Sequence, residues 1–294
     1  MEYSGRMRIN TETSRRDFLL DAAAMAVPCD LPLPDKNKLL SRFELLPPFT
    51  HQGKTKPVYK QKEGKGSGIL LIHELPGLTP ECLMLANRLV ERGGFSVYVP
   101  LLFGAAGETA TKLNTIRVLF DSDYALTGKW KSSKITNWLR GLSNKIAAET
   151  PGRGIGVIGN CLTGGLPIAL LTENCVVAPV CCQASLPLYG NDADLGVSKE
   201  ELAAALKRTD IRIYAYRFKN DTISKHSRWQ AMKDAFGESR FHGLELDATH
   251  PGEKHHDHAV LTGSYSDCPG TQTRAVFDEV LAFLKTATSL RVPS

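Results

Sequence analysis

Short apolar runs alternate along this chain with longer segments that carry apolar residues at helical spacing. The apolar runs lie at residues 68–73, 95–99, 154–159, 175–180, 211–216 and 244–246. The helical spacing spans residues 80–92, 130–148 and 275–286. Strands that are apolar at nearly every position are covered on both faces, which is typical of parallel sheets between helices. The pattern therefore predicts a single α/β domain with a mostly parallel central sheet and helices on both faces.

The N-terminal region differs from the rest of the chain. Residues 29–34 read CDLPLP, and such closely spaced prolines cannot continue a helix. We therefore expect residues 1–44 to form a tail and linker, and residues 45–294 to form the folded domain.

Residues 14–19, SRRDFL, are similar to a twin-arginine export signal and precede a mildly apolar segment. Asp21 interrupts that segment, and a charge there opposes membrane insertion. Unpaired cysteines are also a liability in an oxidising compartment. These features favour a cytoplasmic location, with export through the twin-arginine signal as the alternative.

Charge and cysteine content exclude several classes of protein. The 36 Lys and Arg residues against 31 Asp and Glu give a net charge of +5, but they form no basic run interleaved with aromatic residues, so no nucleic-acid partner is predicted. No apolar stretch reaches the ~18 to 20 residues that a membrane-spanning helix needs, so no membrane partner is predicted. The seven cysteines include no CxxC pair, which indicates mostly reduced thiols. The oligomeric state is left open.

A cysteine stands at the apex of a glycine-lined turn in residues 155–166, IGVIGNCLTGGL. This is the layout of a nucleophile elbow, in which small neighbours let a strand turn sharply into a helix. Cys161 occupies the nucleophile position, and the N-terminus of the following helix favours its thiolate. Thr163 stands where the strict pattern has glycine. The alternative is a tight connection with a buried, inert cysteine.

Acid and base candidates follow in the order that an α/β hydrolase requires. Asp221 comes after the strand predicted at residues 211–216, and a histidine-rich segment comes after the strand at 244–246. Spacing alone does not choose a base among the histidines of that segment, which are His250, His255, His256 and His258. A cluster of histidines and carboxylates is also consistent with a metal site, which is a further alternative.

Four segments taken together resemble the dienelactone hydrolase family, whose members are cysteine-dependent α/β hydrolases. They are residues 71–78 (LIHELPGL), 159–165 (GNCLTGG), 217–221 (RFKND) and 258–262 (HAVLT). The resemblance runs from about Phe43 to the end of the chain. It implies an α/β-hydrolase fold, hydrolysis of a small ester or lactone, and no metal or organic cofactor.

The resemblance also implies a role for individual residues. Cys161 corresponds to the nucleophile, His258 to the base and Asp221 to the acid that orients the base. Glu74 corresponds to a glutamate that lies near the resting thiol and takes part in its activation.

The oxyanion hole would consist of the backbone N–H groups of Leu75 and Leu162. Thr262 stands where the family pattern has an arginine that contacts a substrate carboxylate, so binding of an anionic lactone is left open, with Arg217 and Arg117 as alternative cations.

A non-catalytic protein of α/β-hydrolase ancestry is the alternative function. In that case Cys161, or the adjacent pair Cys181 and Cys182, would sense oxidants. Adjacent cysteines form only a strained disulfide, so the pair is also consistent with two buried thiols.

Overall fold

The strands contribute residues to both hydrophobic clusters of the core. The computed structural model describes residue 30 and residues 32–107, 133–187, 191–249 and 257–289. Its strands are β1 (Phe43–Leu45), β2 (Phe49–His51), β3 (Lys54–Lys56), β4 (Val58–Gln61), β5 (Gly68–Ile72), β6 (Ser96–Pro100), β7 (Ile155–Asn160), β8 (Val176–Cys182), β9 (Ile213–Phe218) and β10 (Phe241–Leu246).

The helices mostly connect successive strands of the sheet. They are α1 (Lys36–Leu40), α2 (Pro80–Gly93), α3 (Lys134–Glu149), α4 (Leu166–Ala169), α5 (Lys199–Lys207), α6 (His226–Phe236) and α7 (Gln272–Thr288). The longer helices are capped by their own sequence. For example, the Thr79 hydroxyl accepts a hydrogen bond from the Cys82 N–H at the start of α2, and Gly94 ends that helix in the left-handed conformation.

Eight strands form one sheet in the order β1-β4-β6-β5-β7-β8-β9-β10. The β1/β4 and β4/β6 pairs are antiparallel, whereas the five pairs from β6 to β10 are parallel. The strands β2 and β3 form a separate antiparallel pair. The predicted α/β architecture with a mostly parallel sheet is therefore confirmed.

Helices cover both faces of this sheet. Side chains of α3, α5 and α6 pack with one set of alternate strand residues, including Leu70 and Val157. Side chains of α1, α2 and α7 pack with the other set, including Ile69 and Ile158. Successive side chains of a strand point to opposite faces, so two buried layers form from the same apolar runs.

The segment after the elbow differs from the helix that the sequence predicts. Cys161–Thr163 is one 3₁₀ turn, α4 is only four residues long, and Leu170–Thr172 is a second 3₁₀ turn. Two glycines favour helix poorly, and Pro167 has no N–H to donate. Because no long helix begins at the elbow, the prediction that a helix dipole stabilises the Cys161 thiolate is wrong.

Part of the predicted tail packs on the domain. The carboxylate of Asp35 caps α1 by accepting hydrogen bonds from Asn37 N and Lys38 N. Leu39 is only 2% exposed and belongs to the cluster that covers α2. The helix α1 thus contributes to the core, and the domain boundary after residue 44 stays a prediction.

The cysteines differ in oxidation state. Those with free thiols are Cys82, Cys161, Cys175, Cys181 and Cys182. Cys268 is disulfide-bonded, so the expectation of reduced thiols does not extend to it. Nearby, the carboxylate of Asp30 accepts hydrogen bonds from Ser266 Oγ (2.7 Å) and Asp267 N (2.8 Å). In the described part of the chain, no helix is both long and apolar enough to cross a membrane.

Candidate active site

Cys161 lies on a sharp turn between β7 and the 3₁₀ segment. Its φ of +53° is left-handed, which is uncommon for a residue other than glycine. Neighbouring glycines make the turn possible, since a Cβ on Gly159 would lie 2.3 Å from the Thr163 carbonyl oxygen. A Cβ on Gly164 would lie 2.7 Å from the Cys182 carbonyl oxygen. The backbone geometry is that of a nucleophile elbow, with Cys161 at its apex and 7% exposed.

The hydroxyl of Thr163 secures the elbow to the neighbouring strand. Its single proton is shared among the carbonyl oxygens of Asn160 (2.9 Å), Ile72 (3.1 Å) and His73 (3.2 Å), the last two at and just beyond the end of β5, and its oxygen accepts from Asn160 N (3.0 Å). The amide of Asn160 also donates to the Ile72 carbonyl oxygen at 3.1 Å. The departure from glycine at position 163 therefore adds a buried polar link between β5 and β7.

Asp221 and His258 meet although they are 37 residues apart. Asp221 Oδ2 lies 2.7 Å from His258 Nδ1. The other carboxylate oxygen of Asp221 accepts from Ile223 N and Ser224 N, each at 2.9 Å. Asp221 is thus held by its own loop and can orient the imidazole through Nδ1.

Arg217 stabilises the loop that carries this acid. Its guanidinium donates to the carbonyl oxygens of Ser224 (2.8 Å) and Asp221 (3.0 Å) and forms an ion pair with Glu245. Because Arg217 is almost fully buried and all of these contacts are structural, it positions the loop.

The imidazole of His258 has one nitrogen left for chemistry. Its Nε2 atom is buried and has no hydrogen-bond partner among the described residues. Burial lowers the pKa of His258. The hydrogen bond with Asp221 and the neighbouring Cys161 thiol raise it by more than burial lowers it, so the pKa of His258 is about 10. The Cys161 thiol is thus one of the groups that interact with the His258 imidazole.

The histidine-rich segment is described only at its end. His250, His255 and His256 lie outside the described residues. Asp257 is buried, and its carboxylate accepts hydrogen bonds from the N–H (2.8 Å) and hydroxyl of Thr249. This contact, which we call the Thr249–Asp257 clamp, closes the segment just before His258. The described ranges hold no group of three or more His, Cys, Asp or Glu residues that could bind a metal ion.

Glu74 lies two residues beyond β5 and is buried. Its carboxyl group contacts the Thr262 hydroxyl and accepts a hydrogen bond from Gln183 Nε2 at 3.1 Å. Burial raises the pKa of Glu74, because the charged form is poorly solvated there. Thr262 is thus a hydrogen-bond partner of Glu74. It stands at the position where the family resemblance implied an arginine.

His73 positions the start of the same loop. Its Nε2 accepts a hydrogen bond from Leu102 N at 3.0 Å, so Nδ1 carries the proton and donates to the Glu74 carbonyl oxygen at 3.1 Å. Full burial lowers the pKa of His73 to about 4, which keeps the ring neutral. In the same loop, the peptide bond between Leu75 and Pro76 is cis.

The two predicted oxyanion donors occupy separate segments. Leu75 follows Glu74 in the loop after β5, and its N–H donates to no described residue. Leu162 follows Cys161 directly in the 3₁₀ turn. Their role in an oxyanion hole stays a prediction.

Sheet order and site placement together define the fold as that of the α/β hydrolases. No protein-family model and no curated protein matches the sequence. A protein from Klebsiella pneumoniae, provisionally named a dienelactone hydrolase, has a similar structure with a TM-score of 0.58 and 15% identity, over 79% of this chain and 94% of that one.

Two further solved structures show the same likeness. An esterase from Pyrococcus furiosus has a TM-score of 0.54 and 13% identity, over 89% of this chain and 97% of its own. A dienelactone hydrolase-like promiscuous phosphotriesterase from metagenomic libraries has a TM-score of 0.54 and 17% identity, over 82% and 97%. At these identities the likeness is one of fold.

Sequence reasoning missed two polar residues of the site, His73 and Gln183. His73 lies inside a segment that carried the family resemblance but has no hydrolytic role of its own. Gln183 directly follows β8, and no local pattern marks a glutamine as part of a site. Its importance depends on partners at positions 74 and 260, which only the fold brings together.

Proposed function

We propose that this protein is a hydrolase that cleaves small carboxylic esters or lactones with Cys161 as its nucleophile. The observation that carries the proposal is the Asp221–His258 pair. It leaves a buried Nε2 with no hydrogen-bond partner among the described residues, on an imidazole that interacts with the elbow cysteine. The similar fold of esterases and dienelactone hydrolase-like proteins supports the same reaction class by analogy.

In the proposed mechanism, His258 Nε2 takes the proton of the Cys161 thiol, and Asp221 stabilises the resulting imidazolium. The thiolate attacks the ester carbonyl carbon. The tetrahedral oxyanion accepts hydrogen bonds from the N–H groups of Leu75 and Leu162.

Collapse of this intermediate expels the alcohol, which takes the proton from His258 Nε2, and leaves a thioester on Cys161. Neutral His258 then removes a proton from water, whose oxygen attacks the thioester carbonyl. The second collapse returns the proton to the Cys161 sulfur and releases the acid. A lactone would open in the same two steps and give a hydroxy acid.

Glu74 would assist the resting enzyme as a buried carboxyl group close to the thiol. Burial raises its pKa and so disfavours the negative charge that would oppose formation of the thiolate.

The geometry of Cys181 and Cys182 speaks against an oxidant sensor built on this pair. Both thiols are buried, and they belong to the clusters on opposite faces of the sheet. Burial raises the pKa of Cys181 to about 12 and that of Cys182 well above its usual value. Two thiols that point apart and resist ionisation are poorly suited to form a disulfide.

Hydrolysis of a nitrophenyl ester tests the proposal. We expect Cys161→Ala to abolish turnover and to leave thermal unfolding unchanged, and His258→Asn to lower kcat by about 10² to 10⁴. Iodoacetamide should inactivate the wild-type protein.

The matched control is Cys175→Ala, which removes a more exposed free thiol that is bonded to Asn144. That variant should retain full activity and remain sensitive to iodoacetamide. Wild-type turnover by Cys161→Ala would overturn the proposed nucleophile. An absence of ester hydrolysis in the unmodified protein would favour the non-catalytic alternative.

A further inference from the structure

Gln183 is held in an unusual backbone conformation at the end of β8. Its φ is +36°, and a left-handed conformation costs a residue with a side chain about 1 kcal/mol or more. Its N–H donates to the Tyr216 carbonyl oxygen at 2.7 Å, and its own carbonyl oxygen accepts from the Ser185 hydroxyl at 2.8 Å. These backbone contacts fix the direction in which the fully buried side chain points.

The side-chain amide of Gln183 bonds at both ends. Nε2 donates to Glu74 Oε2 at 3.1 Å, and Oε1 accepts from Val260 N at 3.3 Å. A primary amide can donate to a carboxyl group and accept from an N–H at once. A carboxylate or an apolar side chain of the same length cannot do both.

The residues that follow His258 are therefore attached to two strand ends. Val260, two residues after His258, is bonded to Gln183 beyond β8. Thr262, four residues after His258, contacts Glu74 beyond β5. Because Gln183 and Glu74 are also bonded to each other, these contacts form one connected buried network.

The residues that follow Gln183 also contact the elbow. Ser185 N donates to the Cys161 carbonyl oxygen at 3.0 Å. The segment from Gln183 to Ser185 therefore contacts both the residue proposed as nucleophile and the segment that carries the proposed base.

From these contacts we propose that Gln183 is a positioning residue, which sets the distance between His258 and Cys161 by linking Glu74 to the Val260 N–H. The inference rests on the proposed function. It adds to that function a residue that touches no reacting atom and acts through the placement of the base.

The test measures kcat and KM for a nitrophenyl ester. In Gln183→Met, which removes both amide bonds at similar volume, we expect kcat to fall about 10- to 100-fold with KM within about threefold of wild type. A small displacement of a catalytic group costs rate more than substrate affinity.

Gln61→Met is the matched control. Gln61 is also fully buried, its amide accepts from Glu63 N (2.6 Å) and donates to Asn87 (3.4 Å), and it lies on β4, near the opposite edge of the sheet from β9. This variant should lose stability without losing kcat. An equal loss of kcat in the two variants would reduce the role of Gln183 to general packing and overturn the inference.

Gln183→Glu gives an independent readout that depends on pH. One proton shared between the new carboxyl and Glu74 restores the link at low pH, whereas two adjacent carboxylates repel each other at high pH. Glu81, His258 and the buried thiols Cys82 and Cys182 are the other titratable groups that interact with Glu74. They are common to both proteins and cancel in the ratio of variant to wild-type kcat.

We expect that ratio to fall about tenfold or more as pH rises. A ratio that is constant with pH, or a Gln183→Met protein with wild-type kcat, would contradict the positioning role. Both results are distinct from failure of the proposed function, in which Cys161→Ala would itself hydrolyse the ester.

Discussion

At the scale of single residues, His73 is a neutral imidazole enclosed by the core. Its folded pKa of about 4 lies below the ~6.5 of an exposed histidine. Above pH 6.5 His73 is neutral in both the folded and the unfolded chain, so its titration does not reduce the free energy of unfolding. Between pH 6.5 and 4 the unfolded chain binds a proton that the folded chain does not, so the free energy of unfolding falls, by up to about 3 kcal/mol.

Replacing His73 with Asn removes this titration. We expect urea denaturation of the variant to show a smaller decrease in the free energy of unfolding between pH 6.5 and 4 than the wild type shows, although the variant is less stable at pH 7. Carboxylates titrate in both proteins and cancel in the difference. An identical pH dependence in the two would mean that His73 is protonated in the folded state.

His258 titrates in the opposite sense. Its folded pKa of about 10 exceeds the unfolded value, so its contribution to stability is complete below pH 6.5 and is lost as pH rises through about 10. A protonated His258 is the state that the first step of the proposed mechanism produces, when Nε2 takes the proton of the Cys161 thiol. The two histidines therefore limit stability from opposite sides of neutrality.

At the scale of secondary structure elements, α1 and β1 test where the domain begins. Leu39 and Phe43 are both buried although both fall within the predicted tail. We expect a chain of residues 45–294 to be less stable than one of residues 35–294 by about 1.5 to 3 kcal/mol for each of the two buried side chains. Both chains keep all the proposed catalytic residues and should hydrolyse esters at low temperature.

Thermal denaturation of the two truncated chains measures this difference. Equal stability would place the boundary after residue 44, as the sequence predicts. A large deficit in both chains relative to the full-length protein would assign packing to residues before Asp35.

The elements that were predictable share a simple physical origin. The strands β5 to β9 are apolar on both faces, and α2, α3 and α7 are long and amphipathic, so each is visible in a short window of sequence. The missed elements are short or polar, such as α5 and α6, or belong to the antiparallel edge, such as β1 and β4. Their structure depends on the sheet against which they pack.

The candidate site was predictable to a similar degree. Cys161 can be identified from the glycines that its turn requires, and Asp221 from its place after a strand. Gln183 cannot be identified from the sequence, since its backbone conformation and both its partners arise from tertiary packing. The 3₁₀ turn after Cys161 is not predictable from the elbow pattern, which is typical of the start of a regular helix.

At the scale of the whole molecule, the oxidation state of Cys268 bears on the cellular location of the protein. A disulfide bond is typical of an oxidising environment, whereas Asp21 and the free thiols favour the cytoplasm. The disulfide bond of Cys268 agrees with the export alternative, in which the wild-type chain leaves the cytoplasm through the twin-arginine signal.

Replacing both Arg15 and Arg16 with Lys should then keep the protein in the cytoplasm with a free Cys268 thiol. Cell fractionation followed by peptide mapping without reductant measures both location and thiol state. Cytoplasmic protein with a free Cys268 thiol in both versions would instead support the tail interpretation of residues 1–44.

The Thr249–Asp257 clamp has a consequence for how firmly His258 is held. It joins Thr249 to the buried carboxylate of Asp257, one residue before His258. Two residues after His258, the backbone N–H of Val260 is bonded to Gln183. The chain is thus fixed on both sides of the imidazole, and the loss of either contact alone would leave the other to limit how far His258 can move.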